Sequence, residues 1–457
     1  MRADWRFWWF GALLFTAAGC NGSFPPRATP ANDWTQSATI PHSAPAKPFG
    51  VADKYLAKKN FCCDPVHGFT GEPDGSGPQS IVASGNGVPN LVGTTITGGE
   101  TNNGALYGLT EAKKGSWQES VLYSFAGSAS GDGSAPVGIS YRKEPCCPVY
   151  VVTEGGGTSG NGTFNSFDPN HDWDKTFTYS FGGTPDGAIP IGNPIVDKSG
   201  NIYGTTEAGG AYGLGAVYRM QPEGSSYSEA IGWSFGLDID GASPYGGLIM
   251  DKKGALYGTT YVGGSSGEGT VFKLTPSSTG FTEAVLHSFQ GPPYDGSRPT
   301  AGACGGPGTS IYGTTEEGGT QNLGTVYKLT GSGTKYKETV IWNFGSVSGD
   351  GAYPYGGVIV DKKGAIFGTT IGGGSAGSSG LGTVFSLTPS GSTYKETVYS
   401  LTGANGAYPR AAPSIGSKSR LFVTTSAGGT KGDGMVLTSN SSVDSGLWTS
   451  VNWSGCV

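Results

Sequence analysis

From residue 61 onward, apolar positions fall in short runs rich in Val, Ile, Thr, Tyr and Phe, separated by Gly, Pro, Asp and Ser. Such runs predict strands joined by tight turns. One unit shows the pattern. Pro244 to Met250, Ala255 to Tyr261, Thr270 to Thr275 and Phe281 to Phe289 read as four consecutive strands, a to d. The a–b turn is Asp251-Lys252-Lys253-Gly254, and the same turn recurs at Asp197–Gly200 and Asp361–Gly364. An Asp opening a turn accepts backbone amides, and a Gly closing it adopts the positive φ of a bulge.

Two markers repeat along the chain. YGTT or a close variant begins at Val92, Tyr150, Tyr203, Tyr257, Tyr312, Phe367 and Phe422. Asp-Gly begins at Asp74, Asp132, Asp186, Asp240, Asp295 and Asp350, with Asn-Gly at Asn405. Both give seven units with steps of 53 to 58 residues. Gly-Gly follows each YGTT, and strand d usually ends in an aromatic, as at Phe125, Phe181, Phe235, Phe289 and Phe344. Four antiparallel strands per unit is the arithmetic of a propeller blade. A β-solenoid coil is shorter and holds parallel strands. The chain therefore reads as an all-β, seven-bladed β-propeller of four-stranded antiparallel blades, with strand a innermost. Residues 61–70 and Trp448–Trp453 both look like additional d strands, so either one closes the ring. Cys456 beside the C-terminal strand and Cys62 or Cys63 within the N-terminal one make a disulfide across that seam geometrically attractive; free or vicinal thiols are the alternative.

The N-terminus is of another kind. Arg2 and Arg6 precede an apolar run from Phe7 to Ala18, too short to span a bilayer as a helix, and Ala17-Ala18-Gly19-Cys20 follows. Residues 1–20 read as a lipoprotein-type signal peptide with Cys20 as the lipidated residue. Ala17 stands where Leu is commoner, so plain secretion with a Cys20 thiol is the alternative. Residues 21–60, punctuated by Pro25, Pro26, Pro30, Pro41, Pro45 and Pro48, read as a tether, and residues 61–457 as the folded body. The expected location is the cell envelope or surface, held to the membrane only through the N-terminal lipid.

Composition narrows function by exclusion. A net charge of −6 leaves no basic footprint for nucleic acid. No CxxC pair occurs, and His42, His67, His171 and His287 are scattered along the sequence, so no metal or other cofactor is expected. There is no G-x-S-x-G elbow, H-E-x-x-H or P-loop.

The string Gly254-Ala255-Leu256-Tyr257-Gly258-Thr259-Thr260, then Gly263-Gly264, then Gly269-Thr270-Val271-Phe272-Lys273-Leu274, resembles the GloVer repeat of bacterial "choice-of-anchor" tandem-repeat proteins. The likeness covers about residues 70–457 and is tightest in units three to six. Unit two has Tyr150-Val151-Val152-Thr153 and unit seven Phe422-Val423-Thr424-Thr425. The resemblance implies an exported protein with a surface anchor, and it transfers no activity to any residue.

Candidate sites follow from strand order, which puts the d–a and b–c loops on one face. Six Asp on that face would form an acidic rim unless each caps its own turn, which their recurrence favours. Tyr245, Arg298, Tyr355 and Arg410 begin strand a in their units and differ between units, as a ligand-reading set would; packing against the next blade is the structural alternative. Glu154, Glu207 and Glu316 enter the b–c loops and could pair with a rim Asp as acid and base. Asp168, Asn170, Asp172 and Asp174 alternate as in a calcium loop, but Trp173 stands where Gly is needed, so they read as a c–d hairpin. The sequence thus predicts a monomeric, non-enzymatic binding or scaffold module for a glycan or surface-protein ligand. The alternative is a secreted polysaccharide-active hydrolase or lyase with its site on one propeller face. A carboxylate cluster around an aromatic site on a single face would separate the two.

Overall fold

The computed structural model describes residues 62–439, apart from 85–88, 113–114, 142–147, 237–238, 279 and 417–419, together with 453–454. The expected signal peptide, Cys20 and the expected tether lie outside the described residues. Among the described residues there is no α-helix, and hence none long and apolar enough to cross a membrane. The strands form seven four-stranded antiparallel blades in a ring, a seven-bladed β-propeller. Blade one comprises Ser76–Ala83, Leu91–Thr97, Ala105–Glu111 and Trp117–Ser124 as strands a to d. Strands b and c are buried almost throughout, whereas d alternates between half-buried and exposed positions, which places it outermost.

The repeated residues are backbone devices. The second Thr of YGTT bonds within its own blade in most units, as in the 2.8 Å hydroxyl contacts Thr260–Thr270 and Thr315–Thr325, while the Thr206 hydroxyl of blade three has no partner. The first reaches the next blade: Thr205, Thr259, Thr314 and Thr369 donate to the carbonyls of Gly246, Ala301, Gly356 and Ala411. A buried hydroxyl left without such a partner would cost about 1–3 kcal/mol. The Asp of each Asp-Gly closes its own d–a turn. Asp132 accepts the Ala126 and Gly133 amides, Asp186 those of Gly182 and Gly187, and Asp350 those of Ser346 and Gly351. The carbonyls of Asp132, Asp186, Asp295 and Asp350 in turn accept an amide from the Gly-rich b–c loop, so both markers share one face. The turn-capping role thus accounts for the rim.

Strand a is shorter than the sequence pattern predicts. In blade four it is Ile249–Asp251, and in blades five and six it is broken. The cause is crowding at the axis. Gly246 lies against the Gly302 backbone and Gly356 against Ala411, so the inner chains converge without continuous pairing within each blade.

The N-terminal segment closes the ring. Asp64–Gly68 pairs antiparallel with Met435–Thr438 as strand d of blade seven, with Asp64 opposite Thr438 and Gly68 opposite Met435. The C-terminus does something else. Trp453–Ser454 pairs with Met250–Asp251, on the inner edge of blade four. Residues 448–452 lie outside the described residues. The predicted seam disulfide is replaced by a vicinal one: Cys62 and Cys63 bridge each other and pack on Val384, Leu401 and Leu437. Both sulfurs are thereby used, leaving neither for Cys456, itself outside the described residues.

Each Asp-Gly turn also brings two outer strands together at a seam between blades. Asp186 stands with Glu229, Asp240 with Glu283 and Asp350 with Glu396. Burial, then the facing Asp, pushes the Glu229 and Glu283 carboxyls up to about 7; burial and Asp350 raise Glu396 as well. These groups keep a proton in the folded protein that the unfolded chain gives up near the ordinary value of about 4.3. Stability is therefore greatest below that value and falls as pH rises through about 7. Allowing for solvent screening, the penalty is about 1 kcal/mol per seam. Urea midpoints should fall between pH 5 and pH 8, and E229Q/E283Q/E396Q should flatten that slope. An equally steep slope in the triple variant would count against the shared-proton account.

Candidate functional site at the channel mouth

The site is built where strand a enters from the Asp-Gly turn. In each blade a Pro opens the strand, and the residue before it has positive φ, including Arg298 at 58° and Tyr353 at 56°. That conformation turns the preceding carbonyl toward the end of strand b: Ser243 accepts the Tyr261 amide and Arg298 the Glu316 amide. The residue after the Pro is Gln79, Val137, Ile191, Tyr245, Thr300, Tyr355 or Arg410, in blade order. Arg298 therefore sits before its Pro, whereas Tyr245, Tyr355 and Arg410 follow theirs.

The four predicted residues are joined through a fifth, Tyr261. The Arg298 guanidinium lies 5.9 Å from the Tyr261 ring centre, and that ring is 5.7 Å from Tyr245. Tyr245 meets Tyr355 edge-on at 5.9 Å, and the Arg410 guanidinium lies 5.3 Å from the Tyr355 ring. Tyr245 belongs to blade four and Tyr355 to blade six. They reach each other past the small Thr300 of blade five, and the Tyr355 hydroxyl donates to the Tyr245 hydroxyl at 2.8 Å. Tyr245 is only 9% exposed, so it supports the row, while Tyr355, Arg410, Tyr261 and Arg298 remain half-exposed. Arg298 is held by Glu317 at 2.6 Å.

Carboxylates face this row. Glu154, Glu207 and Glu316 occupy the position after the repeated Thr pair in blades two, three and five, where blade four has Tyr261. The charges that act on Glu154 and Glu316 are Glu207, Glu317, Arg298 and Arg410, not a rim Asp. Burial, then the neighbouring Glu207, pushes the Glu154 carboxyl up to about 7 against the pull of Arg410. Burial and Glu317 raise Glu316, opposed by Arg298 and Arg410. Burial pushes the Tyr355 phenol up to about 12, although Tyr245 and Arg410 pull it down. Burial raises Tyr245 too, followed by Tyr355, Glu154 and Glu207. The mouth thus offers aromatic edges, two guanidinium groups and a carboxyl, Glu154, pushed up to about 7 beside Glu207.

Two further features were weighed from the sequence. Asp168 accepts the Asn170 amide at 2.8 Å and contacts His171 at 2.6 Å, so the calcium-like string caps a hairpin. The histidines scattered in sequence are not all isolated in space. His67 comes together with Asp74 and Glu119, and His287 with Asp295 and Glu338.

Comparison with known proteins agrees with the architecture. The model of the Gloeobacter/Verrucomicrobia repeat matches residues 77–309 and 278–452. No curated protein matches the chain. Among solved structures, the extracellular domain of a proposed one-component system from B. thetaiotaomicron aligns with TM-score 0.51 at 9% identity, over 83% of this chain and 40% of that one. A proposed 6-phosphogluconolactonase from Bacteroides uniformis aligns with TM-score 0.47 at 11% identity, over 70% of this chain and 84% of that one. At such identity the first of these likenesses concerns the fold alone.

Proposed function

The chain belongs to the Gloeobacter/Verrucomicrobia repeat family, and from that premise we propose an exported propeller that binds a hydroxyl-rich ligand of the glycan class at its channel mouth. The observation that carries this reading is the row Arg298, Tyr261, Tyr245, Tyr355, Arg410 with Glu154, Glu207 and Glu316 around it. Aromatic rings pack against sugar C–H faces, while carboxylates and guanidinium groups hydrogen-bond sugar hydroxyls. The residues concerned differ from blade to blade although the backbone beneath them repeats. A glycan array on the full-length chain tests it. Y355A/R410A should weaken the ligand found by about 1–3 kcal/mol, a hot-spot magnitude, with the fold intact. Unchanged binding would place the ligand elsewhere.

A second reading is favoured by one observation. Glu154 holds a proton near neutrality beside Glu207, the division of labour that general acid–base cleavage of a glycosidic bond requires. In that case wild type releases sugars from a bound polysaccharide, and Glu154→Gln stops release while retaining binding. Absence of released sugar from every bound polysaccharide leaves the binding reading.

Export rests on the N-terminal pattern, with residues 1–20 as signal peptide, Cys20 as lipid anchor and residues 21–60 as tether. Cys20→Ser should move the protein out of the membrane fraction or block its processing. Wild type that takes up no labelled acyl precursor would end the lipid-anchor proposal.

A further inference from the structure

Two of the seven seams differ from the rest. At the blade seven–one seam, His67 comes from strand d of blade seven, Asp74 from the turn and Glu119 from strand d of blade one. At the blade four–five seam, His287, Asp295 and Glu338 stand in the same three positions. In each trio the potential ligand atoms lie within 4.8 Å of one another. His67 Nε2 is 3.3 Å from Asp74, and His287 Nε2 is 3.1 Å from Asp295. The histidines are about a fifth exposed, so solutes can reach them.

Three observations point to a cation there. First, one oxygen of Glu119 and one of Glu338 is buried with no hydrogen-bond partner, as at Glu229, Glu283 and Glu396, but at these two an imidazole completes the cluster. Second, the fully buried hydroxyls of Tyr107 and Tyr327, in the same two interfaces, also lack partners. Third, the blade one–two seam carries a cation of its own. Lys175 takes the place of the Glu, and its ammonium lies 2.6 Å from Asp132. Where the seam has Tyr or Trp in the His position, as with Tyr179 or Trp233, the third group is no metal ligand. Among the described residues, the two His seams are the ones that assemble one imidazole and two carboxylates.

We propose that His67–Asp74–Glu119 and His287–Asp295–Glu338 are two equivalent zinc-class divalent-cation sites, each stapling the outer strands of adjacent blades. An imidazole with two carboxylates suits zinc, whereas calcium asks for six or more oxygens. Two backbone amides orient Asp295, those of Gln290 and Gly296, and the Thr70 amide orients Asp74. Such outer hydrogen bonds fix a ligating carboxylate in place.

The test is equilibrium dialysis of the metal-stripped full chain against zinc chloride. Wild type should take up two equivalents more than H67Y/H287Y, and each single variant should lose one. Tyr already fills this position at Tyr123, Tyr179 and Tyr399, so the substitution suits the fold. Should the His variants fail to fold, E119Q/E338Q, which keeps both imidazoles, should show the same loss of two equivalents. Cobalt in place of zinc should give visible d–d bands in wild type that both double variants lack. Equal uptake by wild type and the folded double variants overturns the proposal.

Discussion

Cutting the chain at Gly71 is expected to destroy the cooperative ring, whereas cutting it at Cys62 leaves the ring intact. The seventh blade borrows its outer strand from the other end of the chain. Asp64–Gly68 supplies the ladder to Met435–Thr438, and without it that strand becomes an open edge. Phe69 follows, 1% exposed, with its amide bonded to Gly434 and its ring edge-on to Tyr107 at 4.9 Å. Five other blades end strand d in a Phe with the same bond to a Gly, as Phe125 does with Gly104; the sixth has Leu401 there. Losing a buried Phe side chain alone costs about 3–5 kcal/mol. With the ladder lost too, the total should exceed about 5 kcal/mol, a fall of roughly 6 °C or more for a chain of this size. Thermal unfolding of the two shortened chains decides it. Equal midpoints would mean that the inner contacts between blades seven and one close the ring by themselves.

The blade count was legible because the repeated residues serve the backbone. A capping Asp, a pair of buried Thr hydroxyls and a positive-φ Gly serve nearly every blade, with Asn405 for the Asp in unit seven and Val152 for the first Thr in unit two, so they recur at one period. The site was legible only in part. Tyr245 and Tyr355 are 110 residues apart and meet from blades four and six, past blade five. Glu154, Glu207 and Glu316 recur at one position, which along the sequence does not say that they meet. The ring turns that same recurrence into a cluster on one face. Tyr261 was missed, although its signal was present: it interrupts the Glu position in the unit that also carries Tyr245. The C-terminal strand was misplaced because alternation identifies a strand without saying whether it joins an inner or an outer edge. The trios around His67 and His287 were hidden for a similar reason. Each takes its members from two blades and the turn between them, and no local spacing encodes that.

Gly324→Ala should cost about 2–5 kcal/mol, roughly twice as much as Gly333→Ala, although both glycines have positive φ. Gly324, at φ +94°, lies in a latch between blades. Its carbonyl accepts the Phe344 amide at 3.0 Å, and its α-carbon faces the ring of Pro354 in the next blade. A Cβ would run into that ring and into the carbonyls of Thr315 and Glu316. Equivalent latches pair Gly104 with Pro136, Gly269 with Pro299 and, across the ring closure, Gly434 with Pro78. Gly333, at φ +65°, tips a c–d hairpin with nothing near its Cβ position. There the substitution meets only the left-handed backbone cost of about 1–2 kcal/mol. At Gly324 overpacking adds about 1–3 kcal/mol more, because a ring of blades cannot widen at one seam without opening another. The push also falls on Glu316, so ligand binding at the channel mouth should weaken with stability in Gly324→Ala and stay unchanged in Gly333→Ala. Denaturation midpoints for the two single variants, measured side by side, test the latch. Equal losses would reduce it to backbone conformation alone.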